Sequence, residues 1–323
     1  MQKELTIQGE SFVYVKERRM GGAVYKNDDG SRYVRVANIN DIHGEVNFTK
    51  ELHERHFPVP RVLDEGKISD TLHYYIEESL GNTVFGEQFQ KETKEHGAVL
   101  DSTFDRFTEV VLTYARAQFD GKNFVLRNRA DIARTILLDN VWRNNPPSEE
   151  IEEQFNVAYK KAADRVMELP FGYLQSDLNA YNILEGGVID FENASLGPVG
   201  FDIITNVFFG RFWPRIALAY NVTDEQIDRY NAAVDEIATS MGLPKMTDYR
   251  NDFILLKAIR ATHKGVTSEE HPDCNPQFWD WRVRVRDWCI YQYLENKTLH
   301  TRDFEKVGGE VIKHPEHFGH EGT

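Results

Sequence analysis

The sequence predicts an α+β fold in two lobes: a small N-terminal antiparallel β-sheet lobe with one helix over residues 1–80, and a larger, mainly α-helical C-terminal lobe over residues 81–323. Three observations predict it. Short aromatic and β-branched segments crowd the first eighty residues, one charged helical stretch interrupts them, and beyond residue 80 apolar residues recur at spacings of three and four.

The first strand candidates are SFVYVKER, GAVYKN and RYVRVAN, the last two parted by the turn-forming DDGS. HGEVNFTKELHERH follows as a helix and is stopped by Pro58 and Pro60 of FPVPRVL. RVLDEGK and TLHYYIEE complete a β-β-β-α-β-β order, and SLGNT has the composition of a connector. In SEEIEEQFNVAYKKAADRVMEL, Ile151, Phe155, Ala158, Tyr159, Ala162, Val166 and Leu169 define one buried helix face. Thr223 and Gln226 form a capping box that opens a helix ending near Gly242, and FILLKAIRATHK reads as a further core helix. With no internal repeat, low-complexity stretch or long linker, the lobes are expected to pack closely around a cleft.

A chain of 323 residues with 41% hydrophobic content can bury a sizeable core. Its formal charge of −14 repels nucleic acid and anionic membrane and favours cationic partners. Two cysteines, Cys274 and Cys289, are too few for a disulfide framework and fit a reducing compartment. The opening MQKELTIQGESF lacks the apolar stretch of a signal peptide, and no run approaches the roughly 18 residues of a membrane span, so the expected location is the cytoplasm. His314, His317 and His320 have a loosely metal-like spacing, but Pro315 and Gly319 interrupt the helix that would align them; a solvated tail is the plainer reading. Oligomeric state is left open.

The stretch YLQSDLNAYNILEGGVIDFE, residues 173–192, carries the chemistry. Asp177 and Asn182 are five apart; Ile183 and Leu184 start a short strand, and Glu185, Gly186 and Gly187 reverse the chain into VID. A two-residue Gly-Gly loop sets Ile183 against Asp190, whereas a three-residue Glu-Gly-Gly loop sets Asn182 against Asp190 and puts both oxygen ligands on one face. Side chains so opposed lie about 5 Å apart and can share a magnesium ion, which keeps water and phosphate as its other ligands. Asp177 then stands near the end of the phosphate chain, placed to accept a hydrogen bond from an acceptor hydroxyl. Singly, each of these residues reads better as a turn residue, a strand cap or a surface carboxylate; it is the combination that points to phosphoryl transfer.

That combination resembles the aminoglycoside phosphotransferase family, which shares the protein-kinase-like fold and carries H-G-D-x-x-x-x-N followed by I-D-F/W-E/D. The corresponding residues are Gln175, Ser176, Asp177 and Asn182, then Ile189, Asp190, Phe191 and Glu192, and GPVGFD ending at Asp202 is similar to the family's G-P-x-x-x-D. The resemblance implies that Asp177 is the catalytic aspartate and that Asn182 and Asp190 hold Mg2+. It also implies that Arg35 of RYVRV contacts the phosphates of ATP or GTP, with Glu45 as its helix partner. YYIEESLGNTV is similar to the family's hinge, so Glu77 to Ser79 are expected to meet the base through backbone groups. Gly21 and Gly22 of RRMGGAVYK form either a phosphate-covering turn or a plain hairpin turn.

Two residues depart from the family pattern: Gln175 stands where a histidine is usual, and Arg35 stands where lysine is commoner and has a different reach. Only eleven residues separate Asp190 from Asp202, too few for the activation segment of a protein kinase, and no A-P-E follows. A small-molecule acceptor is therefore expected, from a family range that includes aminoglycosides, choline, amino acids and sugars. In SEEHPDCNPQFWDW, Glu269, Glu270, Asp273 and Asp280 can hold ammonium groups and Trp279 or Trp281 a cation or sugar ring, and Glu192 is a further acceptor contact. A solvated acidic loop followed by an aromatic core helix is the competing reading of that segment. For the whole chain the competing reading is a non-catalytic nucleotide-binding regulatory protein that kept the fold.

Overall fold

The N-terminal sheet is built on alternation. Residues 3–18, 22–212, 220–264 and 276–308 are described by the structure, a computed structural model of the chain. Its first elements are β1 (Glu4–Ile7), β2 (Glu10–Glu17), β3 (Ala23–Lys26), β4 (Arg32–Asn38), α1 (Ile39–Glu54), β5 (Val62–Lys67) and β6 (Leu72–Glu78). The strands form one antiparallel sheet in the order β1-β2-β3-β4-β6-β5. β1 is one strand more than the sequence predicts. It is four residues long and joins β2 through Gln8 and Gly9, both at positive φ, the geometry of a tight two-residue hairpin.

Because side chains alternate across a strand, β4 sends Val34 and Val36 to one face and Arg35 and Ala37 to the other. The first pair packs with Phe12, Tyr25, Tyr74 and Ile76. On the second face Ala37 packs with Ile42, Val46 and Tyr75 under α1. Arg35, Tyr75 and Glu77 thus share the face that α1 covers, the reason three polar side chains meet there.

The rest of the chain forms α2 (Phe85–His96), α3 (Asp101–Phe119), α4 (Arg129–Thr135), α5 (Leu138–Asn144), α6 (Glu152–Val166), β7 (Phe171–Leu174), β8 (Ile183–Leu184), β9 (Gly187–Val188), β10 (Ser195–Pro198), α7 (Phe201–Asn206), α8 (Phe209–Phe212), α9 (Asp224–Ser240), α10 (Arg250–Arg260), α11 (Pro276–Leu294) and α12 (Phe304–Gly308). β7 pairs with β10 and β8 with β9. The helices bury one continuous core, in which Phe89 and Phe107 meet edge to face at 5.0 Å. The expected face of α6 is buried at Phe155, Ala158, Ala162 and Val166. The Thr223–Gln226 capping box forms with both hydrogen bonds and opens α9. Among the described residues no helix is long and apolar enough to cross a membrane.

Candidate active site

β7 is buried along its whole length and delivers the chain into the loop of residues 175–182. Two buried groups anchor the loop's start. The carboxylate of Asp202, at the head of α7, accepts from the Gln175 backbone N–H at 2.9 Å and from Gln118 Nε2 at 3.0 Å. Gln118, on α3, also donates to the Tyr173 carbonyl at 2.9 Å and accepts from Gly200 N–H at 2.7 Å. Burial pushes the Asp202 carboxyl above the ordinary range, and these two donors, with the N–H of Ile203, pull it back.

The Gln175 side chain then ties the loop to the hairpin. Its Oε1 accepts from the Asp177 N–H at 2.8 Å, while its Nε2 donates to the carbonyls of Asp190 at 2.7 Å and Ile189 at 3.2 Å. The Asp177 carbonyl in turn accepts from Asn179 Nδ2 at 2.7 Å and Asn182 Nδ2 at 3.0 Å. One amide side chain thus fixes the backbones of Asp177 and Asp190 together, and a second fixes Asn182 to Asp177. Ser176 and Asp190 both have positive φ, 67° and 68°, a conformation that costs a non-glycine residue energy and that clusters at functional sites. Ser176 is held there through its Oγ, 2.6 Å from that of Ser195.

Neither expected hairpin register is found. The loop is Glu185-Gly186, with Leu184 opposite Gly187 and Ile183 opposite Val188. Asn182 therefore faces Ile189, whose N–H donates to its carbonyl, and Asp190 lies one residue beyond the pairing. Docking explains the change: Gly186 N–H donates to Leu80 O and Val188 N–H to Pro58 O, which draws Gly187 into the strand. Residues 182 and 190 are linked through the bonds of Gln175 and Asp177, not by cross-strand opposition.

Above the loop, Arg35 Nε donates to Glu77 at 2.8 Å, and its Nη1 lies 3.3 Å from Glu45 and 3.4 Å from Asp190. Burial opposes the charge on Arg35, yet Glu77, Glu45 and Asp190 together hold its pKa well above the usual guanidinium value. Glu45 is not exclusive to Arg35: Arg18 Nη2 reaches it at 2.6 Å and Tyr75 Oη at 2.8 Å. Arg18, at the end of β2, also lies 3.5 Å from Glu192 and was missed by sequence reasoning, since a single arginine beside a strand end has no local signature. Gln118 was missed for the same reason.

Other expected contacts need correction. The Glu77 side chain is buried against Arg35, and the backbone N–H groups of Glu78 and Ser79 donate to Arg61 O and Ser31 O, so those donors serve the sheet. Glu192 faces Arg18; burial first, then the charge of Asp190, raises its pKa. Trp279 and Trp281 are each 1% exposed, and the Arg282 guanidinium lies 4.8 Å from the Trp279 ring centroid, so the core-helix reading holds for both rings. Gly22, at φ 93°, sits where a Cβ would strike the Val36 carbonyl at 1.9 Å, so the turn demands glycine for packing on β4. Gly21, Glu269, Glu270, Asp273, Cys274 and the tail histidines fall outside the described residues.

The donor set suits a hard divalent cation. Among the described residues no three His, Cys, Asp or Glu side chains gather to hold a metal; the loop offers one carboxylate and one amide, as magnesium takes when phosphate and water supply the rest. The Asp190 side chain keeps 34% exposure, and its negative charge adds to burial in raising the pKa of both Glu77 and Glu192, a crowding that a cation relieves.

A small curled sheet over a helical lobe, with such a loop between them, defines a protein-kinase-like phosphotransferase. The profile of the phosphotransferase enzyme family matches residues 23–236, about two thirds of the chain, and the chain belongs to that family. It is a phosphotransferase with an alcohol group as acceptor. Among solved structures, a thermostable mutant of aminoglycoside phosphotransferase APH(4)-Ia, in ternary complex with AMP-PNP and hygromycin B, is similar at 15% identity. The match covers 87% of this chain and 94% of that one, with a TM-score of 0.55. Aminoglycoside phosphotransferase APH(3'')-Id from Streptomyces rimosus is similar at 16% identity over 77% of this chain and 92% of that one, with a TM-score of 0.50. At such identities the likeness shows the fold alone. No curated protein matches the chain.

Proposed function

We propose that the cleft binds a magnesium complex of ATP or GTP and that the protein transfers the γ-phosphoryl group to a hydroxyl of a small molecule in the cytoplasm. The observation that carries this reading is the network in which Gln175 ties the backbones of Asp177 and Asp190 together and Asn182 bonds the Asp177 carbonyl, with Arg35 reaching Asp190 from the upper lobe. Asp190 Oδ and the amide oxygen of Asn182 are the groups that would hold the cation; bound there, magnesium would neutralise charge on the phosphates and leave them open to attack. Asp177 accepts the acceptor's hydroxyl proton and aims its oxygen at phosphorus. Arg35 steadies the phosphates, with Glu77 and Glu45 fixing its fork and Arg18 sharing Glu45. Because phosphoryl transfer depends mainly on position and charge, a rigid loop matters more than any single strong base.

Asp177→Asn tests the assignment. It should lower turnover by about 10²–10⁴-fold, the usual contribution of a positioned general base, and leave nucleotide affinity nearly unchanged. Normal turnover by this variant in a nucleotide-consumption assay with a working acceptor would remove Asp177 from the chemistry.

A further inference from the structure

α10 and α11 bring four cationic side chains into the core of the helical lobe: Lys257, Arg260, Arg282 and Arg286, exposed by 8%, 6%, 5% and 0%. The three guanidinium groups are held by backbone carbonyls. Arg260 Nη1 donates to Thr135 O, Arg282 donates to Phe212 O and Ala261 O, and Arg286 Nη1 donates to Asn145 O. Lys257 differs. Among the described residues its ammonium has no hydrogen-bond or ion-pair partner, although more than nine tenths of the residue is buried. Its Nζ is not among the fully buried polar atoms that lack a partner, so the ammonium reaches the surface and is open to a ligand.

The helix face that carries Lys257 is turned towards the catalytic loop. Lys257 lies three residues before Arg260, on the same face of α10. Arg260 is bonded to Thr135, whose Oγ1 is 3.0 Å from Ser195 Oγ, itself 2.6 Å from the Oγ of Ser176, the residue before Asp177. The surrounding charges agree with this placement: Asp177 and Asp202 act on Lys257 attractively, Arg260 and Arg282 repulsively. Burial is the larger influence and brings the ammonium down to about 8, which leaves it protonated at neutral pH. A polycation entering beside this unpaired ammonium meets repulsion, whereas a monoanion pairs with it.

We propose that Lys257 is the acceptor-binding cation of this site and that the acceptor is a small hydroxy acid, its carboxylate on Lys257 and its hydroxyl on Asp177. A carboxylate is favoured over a phosphate ester because a single uncommitted ammonium matches one negative charge, and a dianion calls for more donors. This assignment rests on the kinase reading above and names its substrate class.

The test uses the full chain with ADP and magnesium and matched probes: glycerate, glyceramide and glycerol, 3-hydroxybutyrate and its amide, and hygromycin B as a polycation. Binding is read by ligand-observed NMR, and transfer by nucleotide consumption with ATP or GTP. The hydroxy acids should bind roughly ten- to a hundredfold more tightly than their amides, the range of one hydrogen bond to a charged group. Lys257→Met should erase that difference and Lys257→Arg should keep part of it, with the nucleotide-induced thermal shift unchanged in both as the check on folding. Equal binding of acids and amides by the wild-type protein, tighter binding of hygromycin B, or a preference that survives Lys257→Met would each overturn the proposal. The wild-type comparison decides the matter even if a variant does not fold. A nucleotide shift without carboxylate preference sinks this inference alone, whereas absence of any nucleotide shift sinks the kinase reading and this inference with it.

Discussion

Gln175 makes three hydrogen bonds that no other residue in the loop can replace, one to the Asp177 N–H and two to the hairpin carbonyls. In Gln175→Ala the positive-φ backbone of Asp190 loses its tether. We expect kcat to fall about ten- to a hundredfold, since small misplacements near reacting atoms cost this much, while the nucleotide Kd changes little. Steady-state kinetics beside calorimetric nucleotide titration would separate the two effects. His263 gives a prediction about pH. Burial, then the charge of Arg260, lowers its pKa from the usual 6.5 to about 3, with Nδ1 donating to the Arg260 carbonyl at 2.7 Å. Between those values the unfolded chain binds a proton that the folded one refuses, so stability is lost as pH falls from about 6.5 towards 3. His263→Gln should show a shallower loss over that window in acid titrations followed by circular dichroism. Asp177, Asn182 and Asp190 were legible in the sequence because spacing and residue type coincide there. Arg18 and Gln118 were not, since each depends on a partner 27 or more residues away, and Lys257 was not, since only the folded chain brings it under the charge of Asp177.

At the scale of elements, the hairpin of β8 and β9 shows what a sequence can and cannot specify. Its existence follows from Ile-Leu, two glycines and Val-Ile-Asp; its register does not, because the deciding contacts are made to Leu80, between β6 and α2, and Pro58, between α1 and β5. A Cβ on Gly187 would lie 2.1 Å from Pro58 O, at a φ of 146° that side chains rarely adopt. Gly187→Ala should therefore destabilise the protein by at least about 1–3 kcal/mol, the usual cost of such strain, measured as a lower urea midpoint with unchanged slope. Should the midpoint stay put, the observed docking of this hairpin is wrong. The start of α9 was legible, since the capping box at Thr223 uses only side chains within one turn. β1 escaped notice because four residues give too little alternation to detect.

For the whole molecule, the site is assembled from both lobes: Arg35, Glu45 and Arg18 from the sheet side, the loop and hairpin from the helical side, bridged by the Arg35–Asp190 and Arg18–Glu192 contacts. The two-lobe architecture was readable from the change in periodicity near residue 80, but this bridging was not, because it joins residues 155 and 174 positions apart. A ligand seated between the lobes must stabilise the fold by mass action, by about 2.7 kcal/mol at one hundred times its Kd. The most direct measurement is thermal unfolding of the wild-type protein and Asp190→Asn with ATP or GTP, each with and without magnesium. We expect a rise of a few degrees that needs magnesium in the wild type and largely disappears in Asp190→Asn. No rise with either nucleotide, or an equal rise in the variant, would contradict magnesium-nucleotide binding at Asp190.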